Sequence, residues 1–484
     1  MPSKPRLICA DKDDLVWERL DERIDLWLTT VKTSDIYHAA ARFILQHRPG
    51  EGDLMHTVLK GGYNIAFRLQ YKDGTSVIMR IPIKDAVPYP DEKVRYEVAT
   101  MRYIKANTTI PVPYIYHYGM AADNPLGLGP FIIMEYVDYH QNLSRALMDP
   151  TRPPGKRPIL DPYVDENRLE HIYDQVADIL VQLDLLKFPR IGSLLQDEST
   201  GQIDVKGRPL LANMIDVVVH TSMPEEAIMP ALDSTYGTGD AWFSALADIH
   251  MAQLVFQKRD VVDDADDARD KYVARQLFRR AVAEGRFSDD NSNEFTLYSE
   301  DLRPANILLD KDDKIVGVID WEFAYAAPRS FSTCPPWWLL IEEPEGWPLG
   351  GMKGWLEMYE PRLQTFLRSL ERVEAQRSPV GGGNPLSQPL SQCMRASWAR
   401  KSWMRHYAAR RSWAFDYIWW KHLDEMLWGP NEDQDHKARI SLLTQQQQDI
   451  LEPFVAGKLE ESKTKDITTM DSDRAAMVLK RYLI

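Results

Sequence analysis

Cysteine is scarce in this 484-residue chain: Cys9, Cys334 and Cys393 are few, odd in number and far apart. That spacing indicates neither a disulfide framework nor a cysteine metal site. Long apolar runs are also missing. No uncharged stretch approaches the length that crosses a bilayer, and the N-terminal MPSKPRLICADKDD lacks an apolar signal core. The expectation is a cytoplasmic protein with no membrane partner. Positive charge is in deficit: the net charge is -14, with no clustered basic stripe, which argues against nucleic acid as a partner. The chain contains no G-x-x-x-x-G-K-[ST], no H-E-x-x-H and no G-x-S-x-G, and it shows no internal repeat. What remains is ordinary globular composition, 44% hydrophobic and 27% charged, on a chain too long for one core.

The most informative segment runs from Leu297 to Pro328, LYSEDLRPANILLDKDDKIVGVIDWEFAYAAP. Asp301 follows a short apolar strand in a polar bend, and Asn306 opens the apolar run Ile307 to Leu309. After the polar turn Asp310 to Lys314, a second run from Ile315 to Ile319 ends at Asp320. Two short strands joined by a tight turn form a hairpin, so the start of the first lies beside the end of the second. Asn306 and Asp320 therefore become neighbours. An amide oxygen and a carboxylate are hard ligands suited to magnesium that keeps waters and phosphate oxygens. Asp301 is left over to orient and deprotonate a hydroxyl.

A second set lies upstream. Gly61-Gly62-Tyr63-Asn64 precedes an alternating strand and reads as a glycine turn whose amides face a phosphate, though many such pairs are plain hairpin turns. Arg80 stands inside the apolar strand Ser76 to Ile83 and needs an anion there. Glu97 is the natural partner: in the helix after Pro90 it shares a face with Val94 and Met101 of the apolar stripe. A structural ion pair without any nucleotide explains the same two residues.

D-x-x-x-x-N followed by an Asp that closes a strand resembles the catalytic loop and metal motif of the kinase-like fold. Trp321 and Glu322 after that Asp resemble the aminoglycoside phosphotransferase and choline kinase branch, and PPWWLL at 335–340 resembles its large fungal group. The resemblance covers roughly Leu59 to Glu343. It implies an α+β, protein-kinase-like two-lobe fold, with a small β-rich N-lobe carrying one key helix and a large, mainly helical C-lobe. It further implies Asp301 as catalytic base, Arg303 beside the transferred phosphate, and Asn306 and Asp320 as magnesium ligands. Arg80, in place of the usual lysine, and Glu97 would serve the nucleotide phosphates. The strand 130–137 would be the hinge, with the Glu135 carbonyl and Val137 amide at the adenine edge and Met134 on the inner wall. Ser299 replaces the histidine usual two residues before the base.

These readings divide the chain into an N-terminal helical extension (1–50), an N-lobe (51–137), a C-lobe (138–430) and a C-terminal helical tail (431–484). The charged stretch between Phe256 and the catalytic loop reads as a helical insertion, with the acidic run Asp260 to Asp270 capping a surface helix. The tryptophans from Trp398 to Trp428 lie at helical spacing, which favours core over a substrate-stacking wall. Gly381-Gly382-Gly383 reads as a flexible loop. The expected function is ATP- and Mg-dependent transfer of the γ-phosphate to a hydroxyl of a small-molecule acceptor, an amino alcohol or aminoglycoside-like compound among the candidates. A nucleotide-binding pseudokinase stays open because of Arg80 and Ser299. A protein kinase is disfavoured, because Asp320 runs within about fifteen residues into Pro335-Pro336, leaving no room for a long activation segment.

Overall fold

In the N-lobe, strand periodicity decides which face each residue takes. A computed structural model of the chain describes residues 14–153, 155–289, 293–377, 388–463 and 469–484; Gly381-Gly382-Gly383 lies outside them. Helices α1 (Asp14–Val31) and α2 (Ser34–His47) precede a six-stranded antiparallel sheet of β1 (Gly52–Met55), β2 (Leu59–Lys60), β3 (Asn64–Tyr71), β4 (Ser76–Pro82), β5 (Ile115–Gly119) and β6 (Phe131–Glu135). The order is β1-β3-β4-β6-β5, with β2 paired to β3. Alternate residues Ile65, Phe67 and Leu69 of β3, Val77, Met79 and Ile81 of β4, and Phe131 and Ile133 of β6 form one core with Leu28 and Ile44 of α1 and α2. The helical extension is thus the cover of that sheet face. The opposite face carries Arg80, Ile132 and Met134, and Ile132 and Met134 join the core that continues into the C-lobe.

Helix α3 (Pro90–Asn107) starts with proline in its first turn, where the missing N–H costs no helical bond. It buries Val94, Glu97, Val98, Met101 and Ile104, as the stripe predicts, and also Lys93.

In the C-lobe, Phe295–Ser299 pairs with Ala324–Pro328 and with Lys187–Phe188. The hairpin of Ile307–Leu309 and Ile315–Val318 is joined by Gln141–Asn142. That third strand follows directly from the inter-lobe segment, so the hinge and the hairpin form one assembly. The approach there is close: a Cβ on Gly317 would sit 3.0 Å from Val137 Cγ1.

Around these strands pack long helices, notably Glu166–Leu185, Gly239–Phe256, Ala265–Ala283 and Gly351–Arg377. Ala265–Ala283 corrects the expectation of a surface insertion. Asp264 does cap it, accepting from the Asp267 N–H, yet Tyr272, Val273, Leu277 and Phe278 are buried in the core. Arg275 is fully buried and binds Asp416 through two nitrogens, at 2.6 and 3.1 Å. A long basic side chain can go inside once its charge is paired. The C-terminal segment is likewise no free tail: Gln445–Glu461 packs on Ala265–Ala283, and Leu479 is buried in the same core. Trp403 and Trp419 are buried and Trp398, Trp413, Trp420 and Trp428 pack against that core, so the tryptophan-rich region is chiefly structural. Among the described residues no helix is long and apolar enough to cross a membrane.

Candidate active site

The hairpin register sets Asn306 against Ile319: Ile307 pairs with Val318, and the Ile319 N–H donates to the Asn306 carbonyl at 3.0 Å. Asp320 follows with φ +61°, a left-handed conformation that Asp tolerates better than most residues and that turns the chain sharply at the strand end. Asn306 sits in a 3-10 turn (Pro304–Asn306) rather than in the strand itself. Its amide Nδ2 donates to the Asp301 backbone carbonyl at 2.9 Å and to Asp301 Oδ2 at 2.8 Å. Arg303 Nε donates to Asp301 Oδ1 at 2.6 Å. The leftover carboxylate is therefore fixed at both oxygens, with its side chain about a quarter exposed. Burial, together with the nearby Asp320 and Glu322 charges, pushes Asp301 up to about 6 against the pull of Arg303.

Across the cleft, Arg80 pairs with Glu97 as predicted, and both are buried. The guanidinium does more than the strand pattern indicates. Its Nη1 donates to Asp320 Oδ1 at 2.6 Å while Nη2 serves Glu97. A planar fork can hold two carboxylates at once where a lysine offers a single nitrogen. Burial raises Asp320, Arg80 opposing it and Glu322 adding to it.

Lys93 and Glu322 form a second inter-lobe link that the sequence pattern did not bring out. Both are almost wholly buried and form an ion pair. Asn64 closes the triad: its Oδ1 accepts from Lys93 Nζ at 2.7 Å and its Nδ2 donates to Glu322 Oε2 at 2.8 Å. Burial pushes the Lys93 ammonium down, with Arg80 adding to that, against the Glu322 carboxylate. Burial alone would raise Glu322, but Lys93 and Arg80 outweigh it and hold it low. One sequence signal existed: Lys93 lies a helical turn before Glu97 and shares its inward face.

The glycine turn is the tip of a hairpin. Gly61 and Gly62 form the exposed tip between β2 and β3, neither with positive φ, and the Gly61 N–H is spent on the Asn64 carbonyl at 2.7 Å. That bond occupies the Gly61 amide alone. The Asn64 side chain turns inward to Lys93 and Glu322. Tyr63 reaches the C-lobe, its hydroxyl 3.4 Å from Asp216 and its ring edge-on to Phe323 at 5.5 Å. Burial raises Asp216 to about 7.

At the hinge, Met134 is buried on the inner sheet face. Glu135 ends β6; its N–H donates to the Tyr114 carbonyl at 2.8 Å, and its carboxylate accepts from the Tyr114 N–H at 3.1 Å. Val137 packs on Gly317. Ser299 is buried in its strand opposite Ala324. Beyond Arg303, Arg411 pairs with Glu343 over the ring of Trp337, and the Tyr407 hydroxyl donates to Glu345 at 2.9 Å.

Asn306 Oδ1 and Asp320 Oδ2 stay outside these hydrogen bonds. Among the described residues no group of three His, Cys, Asp or Glu side chains could hold a metal ion. Two hard oxygens fit magnesium, which completes its shell with waters and phosphate.

A model of the phosphotransferase enzyme family, APH, matches residues 56–332, more than half of the chain. The chain belongs to that family. Its fold is the kinase-like one expected, and the matched span runs from the N-lobe sheet into the C-lobe past Asp320. Two curated relatives match shorter segments. A subtelomeric hrmA-associated cluster protein of Aspergillus fumigatus is 32% identical over 135 residues, 28% of this chain and 23% of the relative. Altered inheritance of mitochondria protein 9 of Komagataella phaffii is 26% identical over 141 residues, 29% of this chain and 22% of the relative. In both cases the match spans under a quarter of the relative's length. Among solved structures, a macrolide 2'-phosphotransferase type I is 16% identical, covering 86% of this chain and 97% of that one with a TM-score of 0.40. An ethanolamine kinase of Plasmodium vivax is 12% identical, covering 89% and 88% with a TM-score of 0.41.

Proposed function

We propose that this phosphotransferase-family chain transfers the γ-phosphate of ATP to a hydroxyl of a small molecule. The observation that carries the reading is the fixed constellation of Asp301, Asn306 and Asp320: a carboxylate oriented by the Asn306 amide, whose backbone is bonded to the residue just before a second carboxylate. In the step itself the acceptor hydroxyl gives its proton to Asp301, and its oxygen bonds to the γ-phosphorus. The bridging P–O bond breaks and its electron pair leaves on ADP. Arg303 holds Asp301 in place and adds positive charge at its edge. Magnesium bound at Asn306 and Asp320 would supply charge neutralisation on the phosphate oxygens. Arg80 and Glu97 fix the N-lobe over Asp320, and Met134, Glu135 and Val137 supply the hinge for the base.

Carboxylates around the cleft (Glu97, Asp301, Asp320, Glu322, Glu343 and Glu345) outnumber the cations Arg80, Lys93, Arg303 and Arg411. That excess supports an amino alcohol or aminoglycoside-like acceptor. The test is ATP-dependent mass gain across a panel of amino alcohols, aminoglycosides and sugars. With an acceptor in hand, Asp301→Asn should lower turnover by about 10²–10⁴-fold while leaving ATP affinity within about threefold. Full turnover in that variant would remove Asp301 from the chemistry. The Arg80–Asp320 bond favours a second reading, a nucleotide-binding protein without turnover; it prevails if ATP binds and no acceptor gains mass.

A further inference from the structure

Arg80 and Lys93 are both buried in the cleft, but they are held differently. The Arg80 guanidinium lies between two carboxylates, Glu97 and Asp320, one from each lobe. It is pinned. The Lys93 ammonium has one carboxylate, Glu322, and one neutral acceptor, Asn64 Oδ1 at 2.7 Å. An ammonium has three protons, and among the described residues the third has no acceptor. Lys93 also stands at the base of the glycine hairpin, because Asn64 opens the strand that follows the Gly61-Gly62 tip.

We propose that Lys93 is a phosphate-binding cation of this cleft, held by Asn64 and Glu322 until a nucleotide arrives. The inference rests on the nucleotide reading above and deepens it. Arg80 keeps the lobes in register through its two carboxylates, and the flexible four-carbon stem of Lys93 meets the triphosphate. Exchange of the neutral Asn64 oxygen for an anionic phosphate oxygen gives the ammonium a second charged partner. Glu322 then serves as the counter-charge that keeps Lys93 protonated in a buried place.

The experiment compares ATP with adenosine, which lacks the phosphates, by titration calorimetry on the purified full chain with magnesium present. Lys93→Met should weaken ATP at least tenfold while adenosine stays within twofold, and Lys93→Arg should restore part of the loss. Lys93→Met alone leaves Glu322 buried without its cation, so the neutral pair Lys93→Met with Glu322→Gln is measured against Glu322→Gln alone. The same selective loss of ATP is expected there. Equal loss of ATP and adenosine overturns the assignment in favour of a structural role, and unchanged ATP affinity overturns it outright. If the unaltered chain binds neither ligand, the nucleotide reading falls and the assignment with it. If it binds ATP and the Lys93 variants bind it equally well, the assignment falls alone.

Discussion

Replacing Arg80 by methionine removes one guanidinium and strands two carboxylates, and their exposures decide which matters. Glu97 is 1% exposed and its Oε1 already lacks a hydrogen-bond partner among the described residues. Asp320 is 32% exposed, so water screens much of its loss. Leaving a buried charge without its partner costs about 3–5 kcal/mol, whereas a part-exposed pair contributes about 1 kcal/mol or less. The Glu97 side should dominate, and Arg80→Met should destabilise the chain by about 4 kcal/mol. Adding Glu97→Gln removes the stranded charge and should recover about 2–3 kcal/mol of that. Glu97→Gln alone should cost less than Arg80→Met, since Arg80 keeps Asp320. The assay is a double-mutant cycle in urea, read by tryptophan fluorescence and far-UV circular dichroism together. If Arg80→Met costs under about 1 kcal/mol, or if the double variant is no more stable than the single, Arg80 and Glu97 are not a buried ion pair inside the N-lobe.

Three histidines, His220, His250 and His406, are buried and pushed down by that burial, His250 to about 3 and His220 to about 4. Their folded values lie below the unfolded one, so the unfolded state binds more protons as pH falls from about 6.5. Stability should be lost on acidification through that window, by up to about 3 kcal/mol each for His250 and His220 at pH 4. His250→Gln should flatten the slope of stability against pH between 6.5 and 4; an unchanged slope refutes the assignment. Gly317→Val should destabilise by about 1–3 kcal/mol through overpacking against Val137. The shift in thermal midpoint should shrink when Val137→Ala is added, and a Gly317→Val chain as stable as the original would deny the close approach.

What the sequence determined by itself was local. Alternation marked β3, apolar runs marked β4 and β6 as strands, helical phase put Glu97 inside α3, and the turn between two short apolar runs brought Asn306 beside Asp320. Each follows from a few residues of one element, because side-chain direction repeats with the backbone. The same phase held Lys93, but periodicity names a face and never its partner. Partners were decided by the tertiary structure: Arg80 reaches Asp320 across 240 residues, and Asn64 reaches Glu322 across 258. The charged stretch misled for a related reason. Composition marks Ala265–Ala283 as surface, and only the carboxylate of Asp416, brought up from far along the chain, lets Arg275 be buried. Charges go inside where another element supplies the counter-charge, and the closure of the two lobes is what brings such charges together at this cleft.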